Sequence, residues 1–258
     1  MQSSWHPPGK SSSLHPDYGA AFREWLSNPV GKRFLDLECQ RLNTIIPTLF
    51  GYDSVIIGEP DFIACMQTSM IKNQYIVNDD ISANPVQFAS LMYGRQDQLP
   101  IGSTLVDVVF LAHCLEFTAN PHEVLREAHR ILRSDGHLVI SMFNPFSLWG
   151  AWRSLAKFSG NVPWKANFMS IVKLKDWLAL LGFDIMQVHY FGFNLPLKKC
   201  SFSSNLSFFE RYGQKMELPF GAAYLIEASK RVIPLTPVSP AWQAEPDIIE
   251  DDVTEPTV

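Results

Sequence analysis

The chain has 258 residues and carries 21 basic against 26 acidic side chains, a formal charge of −5. Six of the acids lie in residues 234–258, which contain no Lys or Arg, so residues 1–233 hold 20 acids against 21 bases. This nearly neutral body argues against a nucleic-acid-binding surface, and no apolar run approaches the roughly 20 residues that span a bilayer. Met1–Ser13 lack the apolar core of a secretory signal, so we expect a cytoplasmic protein.

The distribution of Pro, Ser and charge along the chain predicts three segments. Residues 1–16 are expected to be a flexible lead-in, and residues 234–258 a disordered, acidic, Pro-rich tail. Between them, residues 17–233 are predicted to form one domain, with a helical extension at 20–50 and a core at 54–233.

The four cysteines do not form a recognisable motif. They lie at Cys39, Cys65, Cys114 and Cys200, and none belongs to a C-x-x-C pair. This spacing predicts reduced thiols, with neither a disulfide framework nor a structural zinc site. The seven histidines contain no H-E-x-x-H pair, so no metal site is predicted.

The amino-terminal half of the domain changes from a helical to an extended pattern. Apolar residues at helical spacing predict a helix over 20–50 that is broken at Asn28–Pro29. Four runs are then predicted as strands: Ser54–Gly58, Gln74–Val77, Val86–Tyr93 and Val106–Leu111. The last run is almost continuously apolar, which is typical of a strand covered on both faces of a parallel sheet.

The clearest helix of the sequence is predicted over Asn120–Arg133. Asn120 is expected to be its N-cap, with Glu123 in capping-box spacing. Asp135–Gly136 is expected to end it, and His137–Phe143 reads as another buried strand.

The remaining elements complete an alternating pattern. Helices are predicted over Leu148–Phe158 and Leu174–Leu181, strands over Phe183–Phe191 and Ala222–Ala228, and an irregular insertion over 194–220. Alternation of strands and helices predicts an α/β, doubly wound, mostly parallel sheet with helices on both faces.

Several motifs in the middle of the chain occur together in one protein family. They are Leu99–Ile101, Val106–Val109, Asn120–Leu132 and Asp135–Ile140. This set resembles the type 11 class I S-adenosylmethionine-dependent methyltransferases. In that family the same motifs lie on the fourth strand, the helix that follows it and the fifth strand. Three further motifs make the chain similar to a bacterial subgroup of methyltransferase-like proteins: Trp25–Leu26, Phe143–Pro145 and Asp176–Leu178.

The resemblance implies a fold, a cofactor and a reaction. The fold would be Rossmann-like, with seven strands of which the last is antiparallel. The cofactor would be S-adenosylmethionine, and the reaction methylation of a small-molecule acceptor by this transferase. A sulfonium is an activated methyl donor, so such an enzyme mainly aligns the acceptor and needs no conspicuous general base.

The family's glycine-rich loop is altered after the first predicted strand. Gly58 matches its first glycine, and by resemblance Gly58 and Glu59 would contact the cofactor. Ile56 stands where the family has an acid. Pro60 and Phe62 replace the second and third glycines, which removes one N–H donor and adds bulk.

The family's remaining cofactor contacts map onto two places. Asn78 and Asp79 follow Gly58 by 20 and 21 residues, where an acid binds the ribose hydroxyls. Arg95 replaces the Asp that accepts from the adenine amino group, although a guanidinium only donates. By resemblance, the backbone N–H of Gln96 lies near the adenine.

Two side chains are candidates for contact with the reacting groups. His113 follows the fourth predicted strand, where ligands of open α/β sheets bind, and is a candidate for cofactor contact or for catalysis. The alternative is a structural histidine held by backbone hydrogen bonds at a strand end, and for catalysis this alternative is favoured. Asn144 ends the fifth strand and is similar to the Asn of amino-group methyltransferases, although an Asn-Pro turn out of a strand is the favoured explanation. Glu116 and Phe117 are expected near the pocket mouth.

Two interpretations therefore remain open. The first is a methyltransferase, whose aromatic acceptor pocket would use some of Trp149, Trp152, Trp164 and Trp177 unless these are core residues. The alternative is a catalytically inactive fold relative that binds a ligand or a protein partner. A pocket filled by Phe62 or Arg95 would favour the alternative.

Overall fold

The computed structural model describes residues 18–79, 89–156, 164–193 and 218–231. The predicted lead-in (1–16), the tail (234–258) and most of the predicted insertion (194–220) lie outside these residues. The beginning of the third predicted strand and the end of the helix predicted over Leu148–Phe158 lie outside them too.

The centre of the fold is one seven-stranded sheet. Its strands are β1 (Asp53–Gly58), β2 (Asn73–Asn78), β3 (Ser90–Tyr93), β4 (Val106–Ala112), β5 (Leu132–Phe143), β6 (Phe183–Phe191) and β7 (Ala223–Lys230). The spatial order is β3-β2-β1-β4-β5-β7-β6. The first five strands pair in parallel, and β7 pairs antiparallel with both β5 and β6. The predicted doubly wound sheet with an antiparallel last strand is confirmed.

Helices cover this sheet. They are α1 (Tyr18–Ser27), α2 (Pro29–Leu42), α3 (Pro121–Ile131), α4 (Leu148–Ala156) and α5 (Ile171–Leu180), with 3₁₀ helices at Ile46–Thr48 and Pro60–Met66. Within the described ranges, no helix has the length and apolar character needed to cross a membrane.

The sheet separates two hydrophobic cores. Helices α1, α2 and α4 and the 3₁₀ helix Pro60–Met66 pack on one face, where Ile56 and Phe110 point. Helices α3 and α5 pack on the other, where Ile57 and Leu111 point. Because neighbouring strand residues point to opposite faces, both faces require apolar side chains, which explains the continuous apolar run of β4.

The predicted break in the amino-terminal helical segment is confirmed. Pro29 is the first residue of α2, and the backbone of Asn28 is extended. Gly31 lies so close to the end of α1 that a Cβ there would stand 2.1 Å from the carbonyl oxygen of Trp25. The two helices therefore meet at a tight corner.

Helix α3, the clearest helix predicted from the sequence, begins and ends differently from the prediction. The side chain of Asn120 makes no capping hydrogen bond, so the capping box is not formed. The helix ends at Ile131 because Leu132 already pairs with Val106 of β4. Strand β5 therefore runs through Asp135–Gly136, which does not separate the two elements as predicted.

The prediction of four reduced cysteines is wrong for one pair. Cys39 of α2 and Cys65 of the 3₁₀ helix form a disulfide, with their Cα atoms 4.4 Å apart and a sequence separation of 26. Packing of two distant segments makes this pair, so no local cysteine spacing announces it. Cys114 is a buried free thiol, and Cys200 lies outside the described residues.

Asp107, the acid of the motif at the start of β4, fixes the amino end of the sheet. Its Oδ2 accepts from the backbone N–H groups of Tyr52 and Asp53 at 2.7 and 3.0 Å. Its Oδ1 accepts from Arg133 at 3.0 Å. One carboxylate thus aligns β1, β4 and the start of β5.

Replacing Asp107 by Ala should lower the free energy of unfolding by about 1–3 kcal/mol, because two backbone donors lose a charged acceptor. Urea unfolding of the purified protein measures this. The matched control is Asp36→Ala on the exposed side of α2, for which we expect a change within about 0.5 kcal/mol. Equal effects of the two substitutions would contradict the role of Asp107.

Candidate functional site

The carboxyl ends of β1, β2 and β4 meet beneath α1 and α2. Gly58, at the end of β1, pairs with Ala112 at the end of β4. Its φ is +138°, and a Cβ would lie 2.4 Å from the carbonyl oxygen of Ala112, so only glycine fits. The side chain of Asn78, at the end of β2, donates to the carbonyl oxygen of Gly58 at 3.0 Å.

The loop after β1 is folded inward. Pro60 opens a 3₁₀ helix, where its fixed φ and missing N–H are tolerated. Phe62 is fully buried, and its ring lies 5.6 Å from the His113 ring and 6.3 Å from those of Phe22 and Phe110. The third glycine of the family is therefore replaced by a core residue.

Glu59 connects this loop to α1. Its carboxylate lies 2.9 Å from Nε of Arg23, and the residue is almost entirely buried. This predicted cofactor contact is engaged in an ion pair within the protein. The Arg23–Glu59 pair holds the first helix over the end of β1.

The predicted adenine side lies beyond β3. Arg95 donates two hydrogen bonds to the carboxylate of Asp97, at 2.9 and 2.8 Å, and the bond to Arg95 lowers the pKa of Asp97. Gln96 is half-buried in the turn between them. Asp79 remains half-buried at the end of β2, and its charge contributes to raising the pKa of Arg95.

His113 is the centre of a buried polar network. Its Nδ1 lies 3.1 Å from Oε1 of Glu116, and its Nε2 lies 3.2 Å from Oε2 of Glu38 and 3.0 Å from Oγ of Ser141. Oε1 of Glu116 also accepts from the backbone N–H of Phe143 at 2.6 Å. We call Glu38, His113 and Glu116 the buried triad.

The buried triad is enclosed by aromatic rings. The ring centroid of His113 lies 4.4–5.8 Å from those of Phe143, Phe34, Phe62 and Phe22. Its side chain has no solvent exposure, and both ring nitrogens have partners. In this arrangement His113 contacts neither solvent nor an open cavity, and its predicted role in catalysis stays a prediction.

Opposing effects set the protonation of His113. Burial alone lowers the pKa of an imidazole, but the charges of Glu116 and Glu38 and their hydrogen bonds outweigh it and raise the pKa of His113 to about 10. The imidazolium is therefore the resting form at neutral pH. The positive φ of His113, +51°, places the ring between the two carboxylates.

Sequence reasoning missed Glu38. It lies four residues after Phe34 and four before Leu42, so this acid belongs to the apolar stripe of α2. An acid in an apolar stripe was the signal in the sequence that could have identified it. Oε1 of Glu38 and Oε2 of Glu116 lack hydrogen-bond partners. Across the described ranges, no group of three or more His, Cys, Asp or Glu side chains is arranged to hold a metal ion.

Asn144 has a structural set of partners. Its amide nitrogen donates to the carbonyl oxygens of Pro219 and Gly221 at 2.9 and 3.0 Å, and its Oδ1 accepts from the N–H of Phe146. These bonds tie the end of β5 to the segment before β7. Asn144 thereby positions the turn into α4, as an Asn-Pro turn would, and its catalytic assignment stays a prediction.

A groove opens beside the carboxyl ends of β4 and β5. Its volume is about 550 Å³, and its walls include Leu115, Thr118, Pro145, Phe168, Lys173 and Trp177. Nζ of Lys173 lies 4.8 Å from the ring centroid of Trp177. Of the tryptophans considered for a pocket, Trp177 lines this groove, whereas Trp149 and Trp164 are core residues and Trp152 packs against that core.

Comparison with known proteins agrees with this geometry. Residues 65–140 match the model of a methyltransferase domain family. The chain is 31% identical over 216 residues to the uncharacterized protein YafS of Escherichia coli (strain K12), covering 82% of each chain. The chain belongs to the class I S-adenosylmethionine-dependent methyltransferase-like proteins.

Solved structures share this methyltransferase fold. A methyltransferase from Thermotoga maritima, described as a possible histamine N-methyltransferase, superposes with a TM-score of 0.64 at 21% identity, over 83% of this chain and 96% of that one. A candidate methyltransferase of Haloferax volcanii, in complex with the Trm112 methyltransferase activator, gives 0.58 at 15%, over 83% and 98%.

The family indicates S-adenosylmethionine as the cofactor, but the described arrangement does not fit it in full. Gly58 ends β1 and Asp79 directly follows β2, and their contact with a cofactor stays a prediction. In contrast, Phe62 is packed in the core beside His113, Arg95 is held by Asp97, and Glu59 by Arg23. Access for a cofactor at the end of β1 therefore requires movement of the segments that surround His113.

The pH dependence of folding tests the buried triad. Because the pKa of His113 is raised above its ordinary 6.5 in the folded state, its stabilising contribution is complete below pH 6.5 and is lost as the pH rises toward 10. The free energy of unfolding should fall between pH 6.5 and 8.5, by at most about 1.4 kcal/mol per pH unit. Urea titrations at a series of pH values measure the slope.

Glu38→Gln should flatten that slope, because one carboxylate no longer raises the pKa of His113. Glu24→Gln, at an exposed position of α1, is the matched control and should keep the wild-type slope. Identical slopes for wild type and Glu38→Gln would show that Glu38 does not hold the proton on His113. The range stops at pH 8.5 because burial also raises the pKa of the Cys114 thiol, which adds its own dependence at higher pH.

Proposed function

We propose that the protein is an S-adenosylmethionine-dependent methyltransferase acting on a small-molecule acceptor. The observation that carries the proposal is the groove of about 550 Å³ at the carboxyl ends of β4 and β5. Open α/β sheets bind ligands at this edge, and the groove has the size of a small-molecule site.

The groove suits an acceptor with an apolar or aromatic body. Trp177 and Phe168 offer ring faces, and Leu115 and Pro145 offer aliphatic surface. Lys173 and Thr118 add polar groups that can orient it. Methyl transfer depends mainly on alignment of the acceptor with the methyl group. A groove that holds the acceptor beside the cofactor therefore meets the main requirement of the reaction.

On the cofactor side, we assign Gly58, Asp79 and Gln96 as contacts, because they end β1, follow β2 and lie in the turn after β3. Gly58 allows close backbone approach, and Asp79 follows β2, where an acid accepts from ribose hydroxyls. Glu59, Asn78, Arg95 and His113 also belong to the predicted set, and all four have partners within the protein.

The second candidate function is a ligand- or partner-binding module without turnover. Phe62 favours it, because this side chain lies buried where the family has a glycine. The activator complex of the Haloferax volcanii relative supports the idea of a protein partner for this chain. The cytoplasmic location and the absence of nucleic-acid binding remain predictions.

Calorimetric titration with S-adenosylmethionine and S-adenosylhomocysteine distinguishes the two candidates. We expect saturable heat and a rise in melting temperature with at least one of them. Asp79→Asn should weaken binding about tenfold, because a ribose hydroxyl loses a charged acceptor. The matched control, Asp176→Asn on the exposed side of α5, should bind as wild type does.

The titrations are made with protein treated with reductant and with protein kept oxidised. Neither heat nor a thermal shift in either form, at millimolar ligand, would contradict the methyltransferase proposal and favour the binding module. Binding unaffected by Asp79→Asn would keep the enzyme but remove Asp79 from its site.

A further inference from the structure

The disulfide between Cys39 and Cys65 lies beside the buried triad. Cys39 directly follows Glu38 on α2, and Cys65 lies three residues after Phe62 in the 3₁₀ helix. Glu38 and Phe62 both meet His113, one by a 3.2 Å polar contact and one by ring packing. The link therefore joins the two segments that close around the imidazole.

Helix α2 and the 3₁₀ helix Pro60–Met66 also lie near the carboxyl end of β1, where the proposed cofactor would bind. Helix α2 continues from α1, whose Arg23 pairs with Glu59 in the loop after β1. The 3₁₀ helix replaces the family's glycine-rich loop. A covalent bond between them limits how far α1 and α2, together the N-terminal cover, can move away from the end of β1.

The pair is accessible to reduction from one side. Cys39 is partly exposed, whereas Cys65 is fully buried. A small dithiol can attack the sulfur of Cys39, and its second thiol then resolves the mixed disulfide. Two electrons and two protons pass from the dithiol, which becomes a disulfide, and Cys39 and Cys65 become thiols.

Cys114 provides the contrast within the same chain. It is buried close to Glu116, and burial raises the pKa of its thiol, so its reactive thiolate is disfavoured. A thiol in this setting is inert packing. Of the cysteines that the structure describes, only Cys39 and Cys65 combine a partner sulfur with a route to solvent.

We propose that Cys39 and Cys65 are a redox-modification site, in which disulfide formation fastens the N-terminal cover and reduction by a dithiol loosens it. The effect on ligand binding rests on the proposed function, whereas the effect on the cover does not. In the reduced protein the cover is held by the buried triad, the Arg23–Glu59 ion pair and apolar packing. Opening then no longer requires α2 and the 3₁₀ helix to move together.

The first measurement counts thiols in the full-length protein. After purification without reductant, alkylation of the denatured chain followed by mass spectrometry should modify two of the four cysteines, and all four after dithiothreitol. Four reactive thiols both before and after incubation with oxidised glutathione would overturn the proposal.

The second measurement reads the cover directly. Hydrogen exchange of residues 18–42 should be at least tenfold faster in the reduced protein than in the oxidised protein. The double variant Cys39→Ser/Cys65→Ser should exchange quickly in both conditions. Cys200→Ser, which leaves the pair intact, should respond to dithiothreitol as wild type does.

The third measurement separates this proposal from the proposed function. S-adenosylhomocysteine should bind at least fivefold more tightly to the reduced form than to the oxidised form. Faster exchange with no ligand binding in either form would support the redox site and contradict the methyltransferase proposal. Equal exchange and equal affinity in the two forms would overturn the redox proposal, whatever the affinity.

Discussion

The buried triad places charge where the fold has no solvent. Taking ionised groups out of water costs several kcal/mol each, and only a well-formed partner set offsets it. Here the set comes from three places: Glu38 on α2, His113 at the end of β4, and Glu116 in the next loop. Glu116 also accepts from the backbone at the end of β5. The position of the N-terminal helices is thereby coupled to the active edge of the sheet.

Other polar side chains at the carboxyl ends of the strands also bind groups of the protein. Asn78 binds the carbonyl of Gly58, Glu59 binds Arg23, and Arg95 binds Asp97. All three belong to the predicted cofactor contacts, and each has a partner within the chain. The glycine at the end of β1 is kept, whereas the polar side chains around it bind other groups of the chain. The carboxyl ends of several strands, and not one residue alone, are therefore closed to a ligand in this arrangement.

Local patterns predicted the sheet, because strands buried on both faces must be apolar and a proline in the first turn marks the start of a helix. Asn28–Pro29 and the β4 run of Val106–Leu111 illustrate this. The site was harder to predict from the sequence, because its contacts join segments that are far apart in the chain. Glu38 lies 75 residues from His113, and Cys39 lies 26 from Cys65. An acid in an apolar stripe signals a buried partner, but only the fold identifies that partner as His113.

A closed edge and a ligand-binding edge are compatible as two states of one protein. A ligand shifts such an equilibrium only by its difference in affinity for the two states, so every contact that stabilises closure weakens apparent binding. The buried triad imposes a permanent bias of this kind. A disulfide is different, because its contribution can be removed without changing the sequence. Cys39 is partly exposed and directly follows Glu38, so the disulfide and the contact with His113 restrain α2 at neighbouring residues. Reduction of the disulfide removes one of these two restraints. The free-energy difference that a ligand must overcome to open the edge then becomes smaller.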